Sequence, residues 1–191
     1  MKKKILVILG HPQKKSFCGS LAERYMEGAK RRGHVVKFLA LGDIKFNPIL
    51  ESGYSKVQEL EPDLKKAQDM IKWAQHLTFI YPIWWANLPA LLKGFIERSF
   101  LPGFAYKFRG HSIWWDKYLR GKSARIMATS DSPPLFYKLI VGDPDYKSLK
   151  DTLKFCGVSP IDKDYFGSIK RVSQGKRNRW LKRAYKLGKK E

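Results

Sequence analysis

The chain has 191 residues, a length typical of one domain rather than two with separate cores. Apolar residues make up 43% and charged residues 29%, which excludes a disordered or collagen-like chain. Lys and Arg number 38 against 17 Asp and Glu, giving a net charge of +21. This charge favours an anionic partner, whether nucleic acid, an acidic membrane surface or a phosphorylated ligand, without choosing among them.

Cysteine usage and the first residues indicate the compartment. Cys18 and Cys156 are the only cysteines, so there is no disulfide framework, and no histidine stands at metal-ligand spacing from either. Only five apolar residues run before Gly10, too few for a signal peptide or a membrane span. These observations predict a cytoplasmic protein without a structural metal.

The chain opens with a strand, a helix and a second strand. Residues 5–9 form a short apolar run rich in branched side chains, as expected of a strand buried on both faces. Apolar residues then recur at helical spacing over 17–32, Gly33 ends that helix, and 35–39 reads as the next strand. This order predicts a βαβ unit.

The same alternation continues to the end of the chain. Apolar spacing predicts further helices at 62–75, 89–100, 145–155 and 174–187, and further strands at 77–81, 123–129 and 158–166, the last at an edge. Strands separated by helices imply a mostly parallel sheet covered on both faces. We therefore predict an α/β fold in which residues 1–191 form one domain, a flavodoxin-like, doubly wound, five-stranded parallel sheet with helices on both faces.

In such a sheet the ligand lies at the carboxyl ends of the strands, which directs attention to the loop after the first strand. Gly10 to Ser16 leads into a helix N-terminus, where free N–H groups and the helix dipole favour a phosphate. Ser16 suits either a helix cap or a phosphate contact, and Lys14 and Lys15 add positive field. A plain cap beside solvated lysines is the alternative, and the dinucleotide pattern GxGxxG is absent.

The loop after the third strand is aromatic and stiff. Trp84 and Trp85 are adjacent and stand between Pro82 and Pro89, just past a strand end. A flat ring system could lie against this loop, although the tryptophans could instead only cover the end of the sheet. Two such loops at one sheet edge favour a phosphate-bearing aromatic cofactor.

Other motifs have simpler interpretations. Gly121-Lys122-Ser123 resembles the end of a phosphate-binding loop but precedes a strand, which argues against an NTPase. Cys18 lacks an evident base and Cys156 follows a helix, so both are interpreted as packing residues.

The basic segment 170–191 contains ten Lys or Arg residues and one Glu. It could be an arm for nucleic acid or an anionic membrane, or a terminal helix with its charges in solvent. The spacing of Trp180, Ala184 and Leu187 favours the helix, with these three side chains facing inward.

The two loops and their surroundings resemble the NAD(P)H quinone oxidoreductase family, flavoproteins with a flavodoxin-like fold that act as homodimers. The matching stretches occur in the family's order and cover nearly the whole chain. They are residues 10–12, 16–17, 61–63, 68, 81–95, 102–106, 121–122 and 155–157.

The resemblance implies a flavin site at three strand ends. The flavin phosphates would be held by His11, Ser16, Phe17 and Cys18. The isoalloxazine ring would be lined by Pro82, Ile83, Trp84, Trp85 and Ala86. The far side of the ring would be contacted by Thr129, Ser130 and Asp131.

The resemblance also implies a substrate pocket closed by Tyr106 and Phe108, in the family across the dimer interface. Mammalian members have a Gly-rich stretch after the fourth strand, followed by Tyr and His near the flavin. This chain has Asp-Ser-Pro-Pro-Leu-Phe-Tyr at 131–137 and Val141 near the expected His. Tyr137 is the candidate substitute for proton handling, so Tyr106 and Tyr137 are the candidate catalytic residues.

The activity implied is hydride transfer from NAD(P)H to a tightly bound FAD or FMN, then two-electron reduction of a quinone in the same pocket. The alternative is a flavin-binding ancillary subunit of a membrane transport system with little turnover, in contact with an anionic surface. A nucleic-acid binder is a third hypothesis, without a recognised motif to support it.

Overall fold

The computed structural model describes residues 2–110 and 112–191. Helices and strands alternate along most of the chain, as predicted. In chain order they are β1 (Lys4–Leu9), α1 (Phe17–Arg31), β2 (Val35–Ala40), α2 (Pro62–Trp73), β3 (His76–Pro82), α3 (Ala90–Ser99), β4 (Tyr106–Phe108), β5 (Trp115–Lys117), β6 (Ser123–Thr129), α4 (Pro134–Phe136), α5 (Pro144–Phe155), β7 (Ile161–Phe166) and α6 (Gln174–Lys190).

Five strands form one parallel sheet in the order β2-β1-β3-β6-β7. The predicted flavodoxin-like, doubly wound sheet is therefore confirmed. All seven residues of β3 are buried, because β1 and β6 cover its edges and helices cover its faces. The chain builds outward in opposite directions from the β1–β3 pair, so the switch point of the sheet lies between these strands.

Apolar side chains pack on both faces of the sheet. One core joins the sheet to α1 and α6, and the other joins it to α2, α3 and α5. Ala184 is fully buried, and Trp180 and Leu187 are partly buried against the same core. The inward-facing prediction for α6 is confirmed.

Two features of the chain were not predicted as regular structure. β4 and β5 pair as a short antiparallel hairpin, which Trp115 fixes by stacking its ring 4.5 Å from that of Phe155. α4 continues into a helical turn over Tyr137–Val141.

The final strand begins three residues later than predicted, because the Val158 N–H donates to the Leu153 carbonyl and extends the end of α5.

A buried imidazole is expected to make the stability of the fold depend on pH. His76 is 2% exposed, its Nδ1 lies 2.7 Å from the Ser123 hydroxyl, and its Nε2 lies 3.5 Å from a Glu191 carboxylate oxygen. Burial lowers the pKa of His76 from 6.5 to about 4, although the Glu191 charge opposes this shift. The unfolded chain therefore binds the proton first as the pH falls.

We expect His76 to contribute stability that is fully present above pH 6.5 and is lost as the pH falls towards 4. The lost free energy of unfolding is about 3 kcal/mol. Thermal unfolding of the wild type and of His76→Gln across this range measures it, because the amide cannot titrate. Equal pH dependence of the two proteins would show that His76 is not the group responsible.

Candidate functional site

A groove of about 230 Å³ lies at the carboxyl ends of β1, β3 and β6, beside the switch point. Ten of the twelve residues predicted to hold a cofactor line it. These are His11, Ser16, Phe17, Cys18, Pro82, Ile83, Trp84, Thr129, Ser130 and Asp131. Ile169 and Lys170, which were not predicted, complete the lining.

The N-terminus of α1 forms one end of the groove. Ser16 caps the helix, and its hydroxyl accepts a hydrogen bond from the Gly19 N–H at 3.1 Å. The N–H groups of Phe17 and Cys18 have no acceptor among the described residues. The helix dipole and these free donors favour an anion at this position. Ser16 therefore caps the helix, which is one of the two roles predicted for it.

His11 links the first loop to the aromatic loop. Its Nδ1 accepts a hydrogen bond from the Gln13 N–H at 2.9 Å, and its ring meets that of Trp84 edge-on at 5.8 Å. Partial burial lowers the pKa of His11 below its usual value. The ring is therefore neutral at pH 7, and because Nδ1 accepts, Nε2 carries the proton and can donate it to a ligand in a hydrogen bond.

The aromatic loop ends in a tight turn. Trp84 and Asn87 exchange two backbone hydrogen bonds of 3.1 and 3.0 Å, with Trp85 and Ala86 at the apex. The φ angles at the apex are +50° and +56°. The two apex N–H groups have no acceptor in the described part of the chain. Trp85 and Ala86 do not line the groove, and the Trp85 side chain is fully exposed.

Cys18 and Thr129 form the floor of the groove. The Cys18 sulfur lies 3.2 Å from the Thr129 hydroxyl oxygen. Burial raises the pKa of the Cys18 thiol to about 12. Cys18 is therefore a neutral thiol at physiological pH, in agreement with its interpretation as a packing residue rather than a nucleophile.

The loop after β7 closes the far side of the groove, a role that sequence reasoning missed. The Ile169 N–H donates to the Ser130 carbonyl at 3.1 Å, and the Lys170 N–H donates to the Asp131 carboxylate at 3.2 Å. The Lys170 ammonium lies 2.8 Å from the same carboxylate and holds the pKa of Asp131 below its usual value. The sequence of this loop contains no recognised binding motif. Only its position after a parallel strand could have indicated that it lines the groove.

The predicted substrate and catalytic residues do not line the groove. Tyr106 lines a separate cavity of about 400 Å³ between α3 and α5, and Phe108 is half-exposed. Tyr137 is 2% exposed, and its hydroxyl donates to Asp145 at 2.6 Å. Within one chain the structure therefore does not bring Tyr106, Phe108 or Tyr137 into contact with the groove. Their roles in catalysis and substrate closure remain predictions.

Two further sequence features have structural roles. The Lys122 ammonium donates to the backbone carbonyls of Lys72, at 2.9 Å, and Ala74 at the end of α2, so it is not a free phosphate ligand. Cys156 is buried at the end of α5, as expected of a packing residue.

The described residues contain no group of three or more His, Cys, Asp or Glu side chains that could hold a metal ion. Among the helices of the described residues, none combines the length and the apolar character that crossing a membrane requires.

Comparison with solved structures supports the fold. The chain superposes on the NAD(P)H:quinone oxidoreductase from Methanothermobacter marburgensis with a TM-score of 0.80 and 22% identity, over 99% of this chain and 98% of the other. An FMN-dependent NADH-azoreductase from Bacillus anthracis in complex with FMN gives a TM-score of 0.74 and 16% identity, over 98% and 96% of the two chains.

Sequence comparison identifies the family. Residues 3–186 match the family Flavodoxin_2, described as having a flavodoxin-like fold. An uncharacterized NAD(P)H oxidoreductase of Haemophilus influenzae is 30% identical, over 94% of this chain and 91% of its own. NAD(P)H dehydrogenase [quinone] 1 of Cavia porcellus is 30% identical over 84% of this chain, which spans 66% of the longer enzyme. The chain therefore belongs to the Flavodoxin_2 family, which confirms the predicted relationship to the NAD(P)H quinone oxidoreductases.

Proposed function

We propose that this protein is a flavin-dependent NAD(P)H oxidoreductase that reduces quinones or similar acceptors by two-electron transfer. One observation carries the proposal: a single groove joins a helix N-terminus with free N–H groups to an aromatic wall at the switch point of the sheet. A ligand with a phosphate at one end and a flat ring at the other fits this combination, and FAD and FMN both have these parts.

The residues present suit a flavin. Its phosphate would meet the Phe17 and Cys18 N–H groups beside the Ser16 cap, whose hydroxyl is already bonded to the Gln13 carbonyl and the Gly19 N–H, with the His11 Nε2–H as a further donor. Its ring would lie against Trp84, with Pro82, Ile83, Thr129, Ser130 and Asp131 around it. Trp85 and Ala86 do not line the groove but follow Trp84 directly, and we propose that their free N–H groups donate to heteroatoms of the bound ring. A bound flavin would accept hydride from NAD(P)H and pass it on to the acceptor, while the chain binds and orients both substrates.

We also propose that the active form is a cytoplasmic homodimer in which residues 1–191 of each chain form one flavin-binding domain. Tyr106 and Phe108 lie outside the groove of their own chain, so they can close a substrate pocket only when a second copy presents them. Phe108 and Trp114 are 52% and 67% exposed, and an interface would bury such surface.

A second candidate is an ancillary subunit held at an anionic surface. The observation favouring it is a row of exposed basic residues along α6, whose apolar side is buried. They are Lys176, Arg179, Lys182, Arg183, Lys186, Lys189 and Lys190. Such a subunit would bind flavin and still reduce acceptors poorly, so turnover distinguishes the two candidates.

The test is the visible spectrum of the purified protein before and after anaerobic addition of NADPH or NADH. We expect a yellow protein that bleaches with the reductant and recovers its colour when a quinone is added, and mass spectrometry of the released cofactor decides between FAD and FMN. Bound flavin without turnover would favour the ancillary subunit. A protein that stays colourless after incubation with both flavins would refute both proposals.

A further inference from the structure

The tight turn at the end of the aromatic loop is strained. Positive φ at both apex residues is the signature of a type I′ turn, which normally contains Asn and Gly. Here the apex residues are Trp85 and Ala86, whose Cβ atoms disfavour the left-handed region by about 1 kcal/mol or more each. Such strain persists only where surrounding contacts impose it, and it is frequent at ligand-binding loops.

Tyr137 makes a tertiary contact with the apex of this turn. The Tyr137 hydroxyl lies 2.6 Å from Asp145 Oδ1 and 3.3 Å from the carbonyl oxygen of Ala86. The Tyr137 ring stacks on the ring of Tyr165, with centroids 5.4 Å apart and planes 7° apart. Tyr137 is therefore held at both its hydroxyl and its ring, and offers a rigid support below the apex of the turn.

Asp145 fixes the position of that hydroxyl. Its carboxylate is fully buried in the first turn of α5, where the helix dipole favours negative charge. Its second oxygen accepts a hydrogen bond from the Tyr81 hydroxyl at 2.9 Å. One buried carboxylate thus holds two tyrosine hydroxyls, of which only that of Tyr137 reaches the aromatic loop.

We infer that Asp145 and Tyr137 are positioning residues, which hold the Trp85–Ala86 turn in its left-handed conformation so that its free N–H groups face the flavin ring. This inference rests on the proposed function for its ligand, and it gives Tyr137 a supporting role in place of the predicted role in proton handling. The hydroxyl is committed to Asp145, and burial together with this bond raises the pKa of Tyr137.

A matched pair of variants tests the inference. Tyr137→Phe and Tyr81→Phe each remove one hydroxyl from Asp145, but only Tyr137→Phe breaks the contact with the loop. Flavin fluorescence quenching, with FMN and FAD in turn, measures the dissociation constant of each variant. We expect an increase of about tenfold for Tyr137→Phe and less than about twofold for Tyr81→Phe. Equal effects of the two variants, or no effect of Tyr137→Phe, would overturn the inference.

Rescue separates support of the turn from general stability. Adding Ala86→Gly to Tyr137→Phe should restore most of the lost affinity, because glycine adopts positive φ without steric penalty. A failure of rescue would show that the Tyr137 hydroxyl acts on binding by a route other than the turn.

A measurement without ligand keeps the inference independent of the proposed function. The Asn87 N–H donates to the Trp84 carbonyl across the turn, so its hydrogen exchange reports on the turn. We expect faster exchange over residues 84–87 in Tyr137→Phe and unchanged exchange in Tyr81→Phe. If the wild type binds neither flavin, the proposed function fails, and this comparison still decides the inference.

Discussion

Replacing Gly19 by alanine is expected to weaken flavin binding at least about a hundredfold, because the added methyl group would lie 1.9 Å from the carbonyl oxygen of Lys14. No side chain can rotate away to relieve this clash, since the opposing atom is backbone. The loop before α1 must therefore shift, and the Ser16 cap and the free N–H groups of Phe17 and Cys18 would lose their arrangement.

The expected loss is large because phosphate contacts are charge-assisted. Losing two such hydrogen bonds costs about 3–6 kcal/mol, so the flavin dissociation constant should rise by at least about a hundredfold. Fluorescence quenching of FMN and FAD measures this change. Unaltered affinity in a folded Gly19→Ala protein would show that the phosphate does not bind at this helix N-terminus.

Gly175→Ala is the matched control. Gly175 also lies in the first turn of a helix behind a serine cap, but the nearest atom to its added methyl group is the Ser173 hydroxyl oxygen, 3.9 Å away. Alanine is a better helix former than glycine, so we expect this variant to gain up to about 1 kcal/mol in stability and to bind flavin normally. A loss of flavin binding in both variants would indicate an indirect effect.

The sequence predicts the central strands of the sheet well because they are buried on both faces. A strand such as β1 has no solvent side, so residues 5–9 read as one continuous apolar run, and helices interrupt such runs with a different period. The order of elements then limits the topology, since parallel strands require crossover connections.

The unpredicted elements depend on distant contacts instead. β4 and β5 contain three residues each and are fixed by packing of Trp115 on Phe155, far away in the sequence. The helical segment at 134–141 carries four exposed apolar side chains and has no amphipathic pattern to reveal it.

Two of the loops that line the groove were predictable because they follow parallel strands whose carboxyl ends meet at one edge, and the family resemblance added the third, at residues 129–131. The exact contacts were not, since they depend on backbone angles that residue type does not specify. Trp85 and Ala86 stand at the apex of a turn with positive φ at both residues and do not line the groove. Lys170 enters it because the loop after β7 folds back onto Asp131.

Replacing Arg125 by glutamine is expected to cause the largest loss of stability, about 3–5 kcal/mol. The Arg125 side chain lies at the other end of the sheet, 7% exposed, and forms ion pairs with Asp162 at 2.7 Å, Asp164 at 2.6 Å and Glu191. Removing the guanidinium takes the buried cation from the Asp164 and Glu191 carboxylates, which are 4% and 6% exposed, and leaves Asp164 with only the half-exposed Arg183 as an ion-pair partner. Chemical denaturation of both proteins measures the difference.

Arg109→Gln is the control for Arg125→Gln, since it makes the same substitution in an exposed ion pair. The Arg109 Nε lies 2.9 Å from Asp116, but both side chains are open to solvent, at 63% and 38% exposure. Water and salt screen this pair, so its loss should leave the free energy of unfolding nearly unchanged. Comparable destabilisation by the two variants would mean that burial does not determine the contribution of Arg125. A clear difference, with flavin affinity unchanged in Arg125→Gln, would separate the stabilising end of the sheet from the binding end.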